Sequence, residues 1–271
     1  MSKEKTEEDV IRHKKKAIHE LNNLMETYIK THDKELLKKA DLISYWLESF
    51  SLYIGCEDSF EPSRLIRYSR GDVLRLNFGF NIGKEFGGLH FAVVIDNDNK
   101  RSADVLTVVP LSSSDGKKVH ERSVDLGTEL FEKISVVQHN LLLSAKKELD
   151  ELIAAEDAFA TTYDALKKFV PSLEVVSSEI AEKLNSLRRY QDEMLKKKAL
   201  LEKSVSTIER NNLEISKLKK GSLAVTNQIT TVSKQRIYTP KRSEDFLYGI
   251  SLSNPAMEKI NAKLKELYLF E

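Results

Sequence analysis

RGDVLRLNFGFNIGKEFGGLHFAVVIDNDNKRSADVLTVVPLSSS, residues Arg70–Ser114, is the stretch that decides the fold. Val73, Leu74, Leu76 and Phe78 predict a first β-strand, the unbroken apolar run Phe91–Ile95 a second, and Val105–Leu111 a third. Gly79, Gly83, Gly87 and Gly88 punctuate the polar segment between the first two strands. Glycine takes left-handed backbone angles at little cost, so a tightly reversing loop is expected there. Such a loop can hold Lys84, Glu85 and His90 over the end of a small sheet.

Outward from this stretch, glycine usage divides the chain. All ten glycines lie between Gly55 and Gly127 or between Gly221 and Gly249. A glycine inside a helix costs about 1 kcal/mol relative to alanine, so the glycine-free segments are the expected helices. The apolar spacing from Thr6 to Tyr53 predicts two helices that break near Thr31–Asp33. Tyr45 and Trp46, near the end of the second, sit at helical spacing beside Leu42 and Phe50, where aromatic residues are packing residues more often than stacking platforms.

The segment 128–220 carries a seven-residue row of Leu173, Ile180, Leu187, Met194, Leu201, Ile208 and Ile215, the period of a coiled-coil seam. The companion row Ser177, Leu184, Gln191, Lys198, Val205 and Asn212 is too polar for a long-lived homodimeric zipper, so the seam is expected to be intramolecular. Upstream, Leu149, Leu152, Phe159, Tyr163, Leu166 and Val170 form a facing stripe, and Pro171–Ser172 is the natural break between two arms. A single helix of this length would separate its ends by roughly 130 Å. An antiparallel hairpin returns the chain to its starting point. Charge agrees: residues 128–170 carry 5 basic and 8 acidic side chains, net −3, and 171–220 carry 11 and 8, net +3. At the other end of the chain, Met257, Ile260, Leu264 and Leu267 predict a terminal helix, capped by Asn254 before Pro255.

Composition narrows the partners. With 43 basic and 42 acidic residues the chain has no global basic field, and attraction to nucleic acid has to come from a local patch. The single cysteine, Cys56, excludes an internal disulfide framework and zinc-finger spacing, and fits a reducing compartment. The opening MSKEKTEEDVIRHKKK has no apolar signal core, and no run approaches the ~20 apolar residues that span a bilayer. A soluble, cytoplasmic protein with no membrane partner is expected.

The order of the opening strand, the GKEFGG loop, the apolar strand and the strand end VVPLSSS resembles the MazF/PemK toxin family. A second piece, GSLAVTNQITTVSKQRI from Gly221 to Ile237, resembles that family's later strand and its "DQIRTVSKxRI" segment. The resemblance implies an SH3-like (MazF/PemK-type) small β-barrel built from 67–127 and 221–271; joined to the spacing described above, it gives an expected α+β fold in which that barrel is interrupted by the long antiparallel helical hairpin of 128–220, which the resemblance does not cover. N-terminal helices of 1–66 precede it, and a C-terminal helix ends it. It implies the toxin of a toxin–antitoxin pair, a metal-independent endoribonuclease on single-stranded RNA with no cofactor, checked by a protein or RNA antitoxin, with a homodimer formed through the barrel.

RNA brings its own nucleophile, the 2′-hydroxyl, so such an enzyme needs a base, an acid and donors for the charged phosphorane. His90, at the start of the second strand, is the leading catalytic residue, since imidazole exchanges protons near neutral pH. Many family members carry arginine there, so this chain offers less fixed positive charge. By resemblance, Glu85 is a general base or a reader of a base edge, and Ser112 matches the family's catalytic or phosphate-contacting hydroxyl. Lys84, Ser113, Gln228, Lys234 and Arg236 are the expected RNA contacts. Asn227 and Thr230 stand where the family has an acidic residue and an arginine. The same features also suit a non-catalytic RNA- or protein-binding module whose coiled-coil arm docks a partner.

Overall fold

The computed structural model describes residues 5–114, 116, 119–169, 178–216 and 218–269. Among the described residues, five α-helices accompany seven short strands of an open sheet. The chain divides into two compact units, Met1–Ser112 with Arg122–Val124 and Ala224–Glu271, and Ser113–Glu121 with Asp125–Leu223.

The first unit starts with two helices. In α1 (Glu7–Lys30), Thr6 and Asp9 form a reciprocal capping box, and Glu7, Glu8 and Asp9 place negative charge on the positive end of the helix dipole. Thr6 hydrogen bonds hold the Asp9 carboxyl below its usual pKa. The chain breaks at Thr31–Asp33, where the Asp33 carboxylate accepts from the amides of Glu35 (2.8 Å) and Leu36 (2.9 Å) and starts α2 (Lys34–Gly55).

The decisive stretch forms β1 (Val73–Asn77), β2 (Leu89–Val94) and β3 (Val105–Ser113). β1 and β2 pair antiparallel with Val73 opposite Val93 and Leu74 opposite Ala92. β2 and β3 pair antiparallel with Ala92 opposite Pro110 and Val93 opposite Val109. β6 (Thr230–Ser233) joins β3, with Leu106 opposite Val232, and β7 (Ile237–Thr239) joins β1 with an irregularity between Arg75 and Leu76. The strand order in this unit is therefore β3-β2-β1-β7, with β6 also on β3. Both faces of the central strands are covered, which explains why their sequences read as continuous apolar runs. One core contains Leu65, Tyr68, Leu74, Leu76, Phe78, Ala92, Leu106, Val108, Val232 and Ile237. Val73, Val93 and Val109 alternate to the opposite face and are equally buried. α5 (Asn254–Tyr268) closes the chain and buries Met257 and Ile260. Its N-cap is Ser253, whose hydroxyl accepts from the Ala256 amide, so the capping residue lies one position before the expected Asn254.

In the second unit, β4 (Val124–Gly127) lies next to β5 (Ser222–Ala224), although Val124 and Ala224 themselves belong to the first unit. α3 (Glu129–Phe169) and α4 (Ser178–Ser216) make up most of the rest. Lys146 pairs with Glu209, Lys198 with Glu156, and Arg188 donates to Tyr163, so partners ascend α3 as they descend α4 and the helices are antiparallel. Met194, Val205 and Ile215 are buried, and Leu187, Leu201 and Ile208 are half-buried. Thus both seven-residue rows point inward over these positions, the polar companion row included. The break expected at Pro171–Ser172, and Leu173 of the row, lie outside the described residues.

Candidate functional site

The chain between β1 and β2 is a reversing loop closed by its own backbone. The Phe78 amide donates to the Gly88 carbonyl (2.8 Å), and the Gly88 amide to the Gly79 carbonyl (2.7 Å). Three glycines serve this closure, Gly88 among them with φ +86°. Gly79 has φ +84°, and a Cβ there would lie 2.8 Å from the Trp46 ring and 2.9 Å from Arg236 Nη2. At Gly87 a Cβ would lie 2.8 Å from the Gly79 carbonyl oxygen.

Side chains then fix the loop from within. Asn81 Nδ2 donates to the carbonyls of Phe86 (2.7 Å) and Phe78 (3.3 Å), and the Glu85 carboxylate accepts from the Ile82 amide (3.2 Å). Glu85 is therefore a loop-bracing residue as well as an exposed carboxylate. Lys84 is exposed at the tip.

His90 follows the closure on β2. Its ring meets Phe86 edge-on at 4.7 Å between centroids, and Phe86 meets the core residue Phe78 in the same way at 5.2 Å. Phe86 thereby covers part of the ring while the side chain retains solvent exposure. That partial desolvation lowers the His90 pKa, and the nearby Arg75 guanidinium lowers it further. The imidazole is consequently neutral at pH 7, the form that accepts a proton. The β2–β3 register runs to Ala92 opposite Pro110; two residues further along each strand stand His90 and Ser112, on the same sheet face by strand alternation. Ser112 and Ser113 are half-buried at the end of β3.

The later segment meets the loop through a 3-10 turn, residues Thr226–Gln228. Gln228 Oε1 accepts from the Phe86 amide (3.3 Å) and its Nε2 donates to the Lys84 carbonyl (3.2 Å). Its amide is thus occupied with the loop backbone and not turned to a ligand. Beside the loop opens a cavity of about 310 Å³, lined among others by Asn81, Glu85, Phe86, Asn227, Gln228 and Arg236.

Two of the expected cationic contacts are placed differently from the sequence expectation. Lys234 is fully buried, and its Nζ donates to the carbonyls of Lys100 (2.9 Å) and Arg101 (3.3 Å), with the Tyr68 ring 5.9 Å away. Burial lowers its pKa against the opposing pull of Asp104 and Asp96. A lysine held in this way is a structural residue that does not reach phosphate, which corrects the expectation. Arg236 is half-buried: Nε donates to the Asn77 carbonyl (2.9 Å), Nη2 donates to the Phe78 carbonyl, and the guanidinium lies 5.1 Å from the centre of the Trp46 ring. It is a brace at the root of the loop that also lines the cavity.

Sequence reasoning did not single out Asn77, Asn81 or Trp46 for this site. Asn81 within a glycine-punctuated loop was the available signal, since asparagine bonds nearby backbone in turns.

The arrangement is a small antiparallel sheet with a glycine-hinged, polar loop over one end. Residues 69–157 match the family described as PemK-like, MazF-like toxin of type II toxin–antitoxin system. That segment holds β1 to β4, the loop and the first part of α3; the Gly221–Ile237 segment lies beyond it. No curated protein matches the chain. Among the described residues, no helix is long and apolar enough to cross a membrane.

Proposed function

We propose that this chain is the toxin of a toxin–antitoxin pair and an endoribonuclease on single-stranded RNA, working from an SH3-like barrel of 67–127 and 221–271 with the 128–220 hairpin as an insertion. The observation that carries this reading is the place of His90: an imidazole packed on Phe86 at the foot of a braced loop, on the sheet face it shares with Ser112, where partial burial favours its neutral form. His90 takes the proton of the 2′-hydroxyl. The 2′-oxygen then attacks phosphorus, the bond to the 5′-oxygen breaks, and that oxygen leaves with a proton drawn from solvent at the open loop. The upstream product ends in a 2′,3′-cyclic phosphate. The Ser112 hydroxyl donates to the phosphorane oxygens, with Ser113 beside it, and Lys84 at the tip supplies positive charge. Glu85, on the cavity wall, reads a base edge or shares proton transfer. Because the nucleophile is intramolecular, the chemistry requires no metal ion.

The family's pairing of toxin with antitoxin supports an inhibitory partner, protein or RNA. A homodimer through the barrel belongs to the same reading. A second reading, a non-catalytic RNA- or protein-binding module, is favoured by one observation: Lys234, Gln228 and Arg236 are engaged with the protein's own backbone. Expression in a bacterial host separates the two. The enzyme arrests growth and its His90→Ala and Ser112→Ala variants do not; arrest that persists unchanged in both folded variants contradicts the nuclease.

A further inference from the structure

We propose that Trp46, on the N-terminal helix α2, is a positioning residue for the Gly79–Gly88 loop. Its indole clamps the Arg236 guanidinium, and Arg236 holds the two carbonyls from which the loop springs. The consequence for cleavage rests on the nuclease reading above; the clamp itself does not.

Four observations meet at this point. The guanidinium lies over the Trp46 ring, 5.1 Å from its centre, a distance at which cation and ring quadrupole attract. The same guanidinium donates to Asn77 and Phe78, the last residue of β1 and the first residue past it. Gly79, next in the chain, lies so close to both partners that even a methyl group would overlap the indole and the guanidinium. Finally, α2 holds Trp46 with neighbouring aromatics: Phe50 lies 5.8 Å and Tyr53 6.3 Å from its ring, and Asn77 Nδ2 donates to the Tyr53 hydroxyl (3.4 Å).

Arginine's planar fork suits this task. Two donors fix its plane against carbonyls and the ring face fixes its tilt, so few rotamers remain. Without the indole the guanidinium regains that freedom, the carbonyls of Asn77 and Phe78 lose steady donors, and the bond from Phe78 to Gly88 that closes the loop opens more often. His90, two residues past Gly88, moves with it. Residues 69–157 do not include Trp46, so the match by itself gives α2 no role; the contact makes α2 part of the working site.

The experiment compares full-length wild type with Trp46→Leu, which fills the space without a π face, and Trp46→Phe, which restores one. Amide hydrogen exchange is read over 78–88, with β3 residues 106–110 as the internal reference, and RNA cleavage is measured alongside. We expect Trp46→Leu to raise exchange in 78–88 about tenfold with 106–110 unchanged, and to lower kcat about tenfold with KM within about twofold. Trp46→Phe recovers most of both. Unchanged exchange in 78–88 for Trp46→Leu overturns the clamp, and so does equal exchange at the loop and in β3, which is general loosening. If Trp46→Leu does not fold, Arg236→Lys gives the same exchange test, since lysine cannot hold both carbonyls and the ring face. Absence of cleavage by wild type, together with loop-specific exchange in the variants, overturns the nuclease reading and leaves the clamp standing.

Discussion

At the scale of single residues, three side chains expected to face RNA do different work. Lys84 is exposed at the loop tip, and its replacement by alanine is expected to weaken RNA binding and to reduce the salt slope of the binding constant by about 1. A slope equal to wild type would show that it meets no phosphate. Lys234 is buried against carbonyls, so Lys234→Met leaves the salt slope unchanged and instead costs about 1–3 kcal/mol of stability by stripping the Lys100 and Arg101 carbonyls of their donor. His90 links the site to pH. Its folded pKa lies below the ordinary 6.5, so between those values the unfolded chain binds more protons than the folded one. The stability this contributes is complete above about 6.5 and is lost as pH falls through that value toward the folded pKa. Thermal melts at pH 5.5 and 7.5 are expected to differ less in His90→Asn than in wild type. The strand that carries His90 was legible to within two residues, expected over Phe91–Ile95 and formed by Leu89–Val94, because its apolar run is continuous. Lys234 and Arg236 were not: in the 3-10 turn Lys234–Arg236 neither strand alternation nor α-helical spacing says which side chain turns inward.

At the scale of elements, the hairpin was legible and the loop only in outline. The seven-residue rows are a property of spacing alone, and Met194, Val205 and Ile215 are buried as an intramolecular seam requires. Val205→Asp places an unpaired carboxylate in that seam and is expected to cost about 3 kcal/mol or more, read as loss of helical ellipticity at lower temperature. Leu200→Asp, at a position 66% exposed, is the control and changes little. For the loop, glycines announced a reversal, but the braces Asn81, Gln228 and Arg236 arrive from 3, 142 and 159 residues away along the chain from the groups they hold. Asn81 is local and carries a turn signal, whereas the two distant contacts, of Gln228 and Arg236, leave no periodic trace. The same holds for Trp46, whose spacing reads as ordinary helix packing and whose ring in fact lies over Arg236.

At the scale of the whole molecule, near-zero net charge leaves no global basic field, so the proposed RNA binding has to come from a local patch, which the proposed function places at the loop and sheet end. Replacing 135–215 by a short linker is expected to preserve cleavage, because every residue assigned a catalytic or RNA-contacting role lies outside that range; loss of cleavage by the folded, shortened protein would make the hairpin part of the activity. The central claim is tested most directly by incubating purified wild type, His90→Ala and Ser112→Ala with a long RNA in EDTA and mapping cut sites and end groups. The account predicts discrete cuts bearing 2′,3′-cyclic phosphate, abolished in both variants. Intact RNA with folded wild-type protein, or cuts that leave 3′-hydroxyl ends, would contradict it.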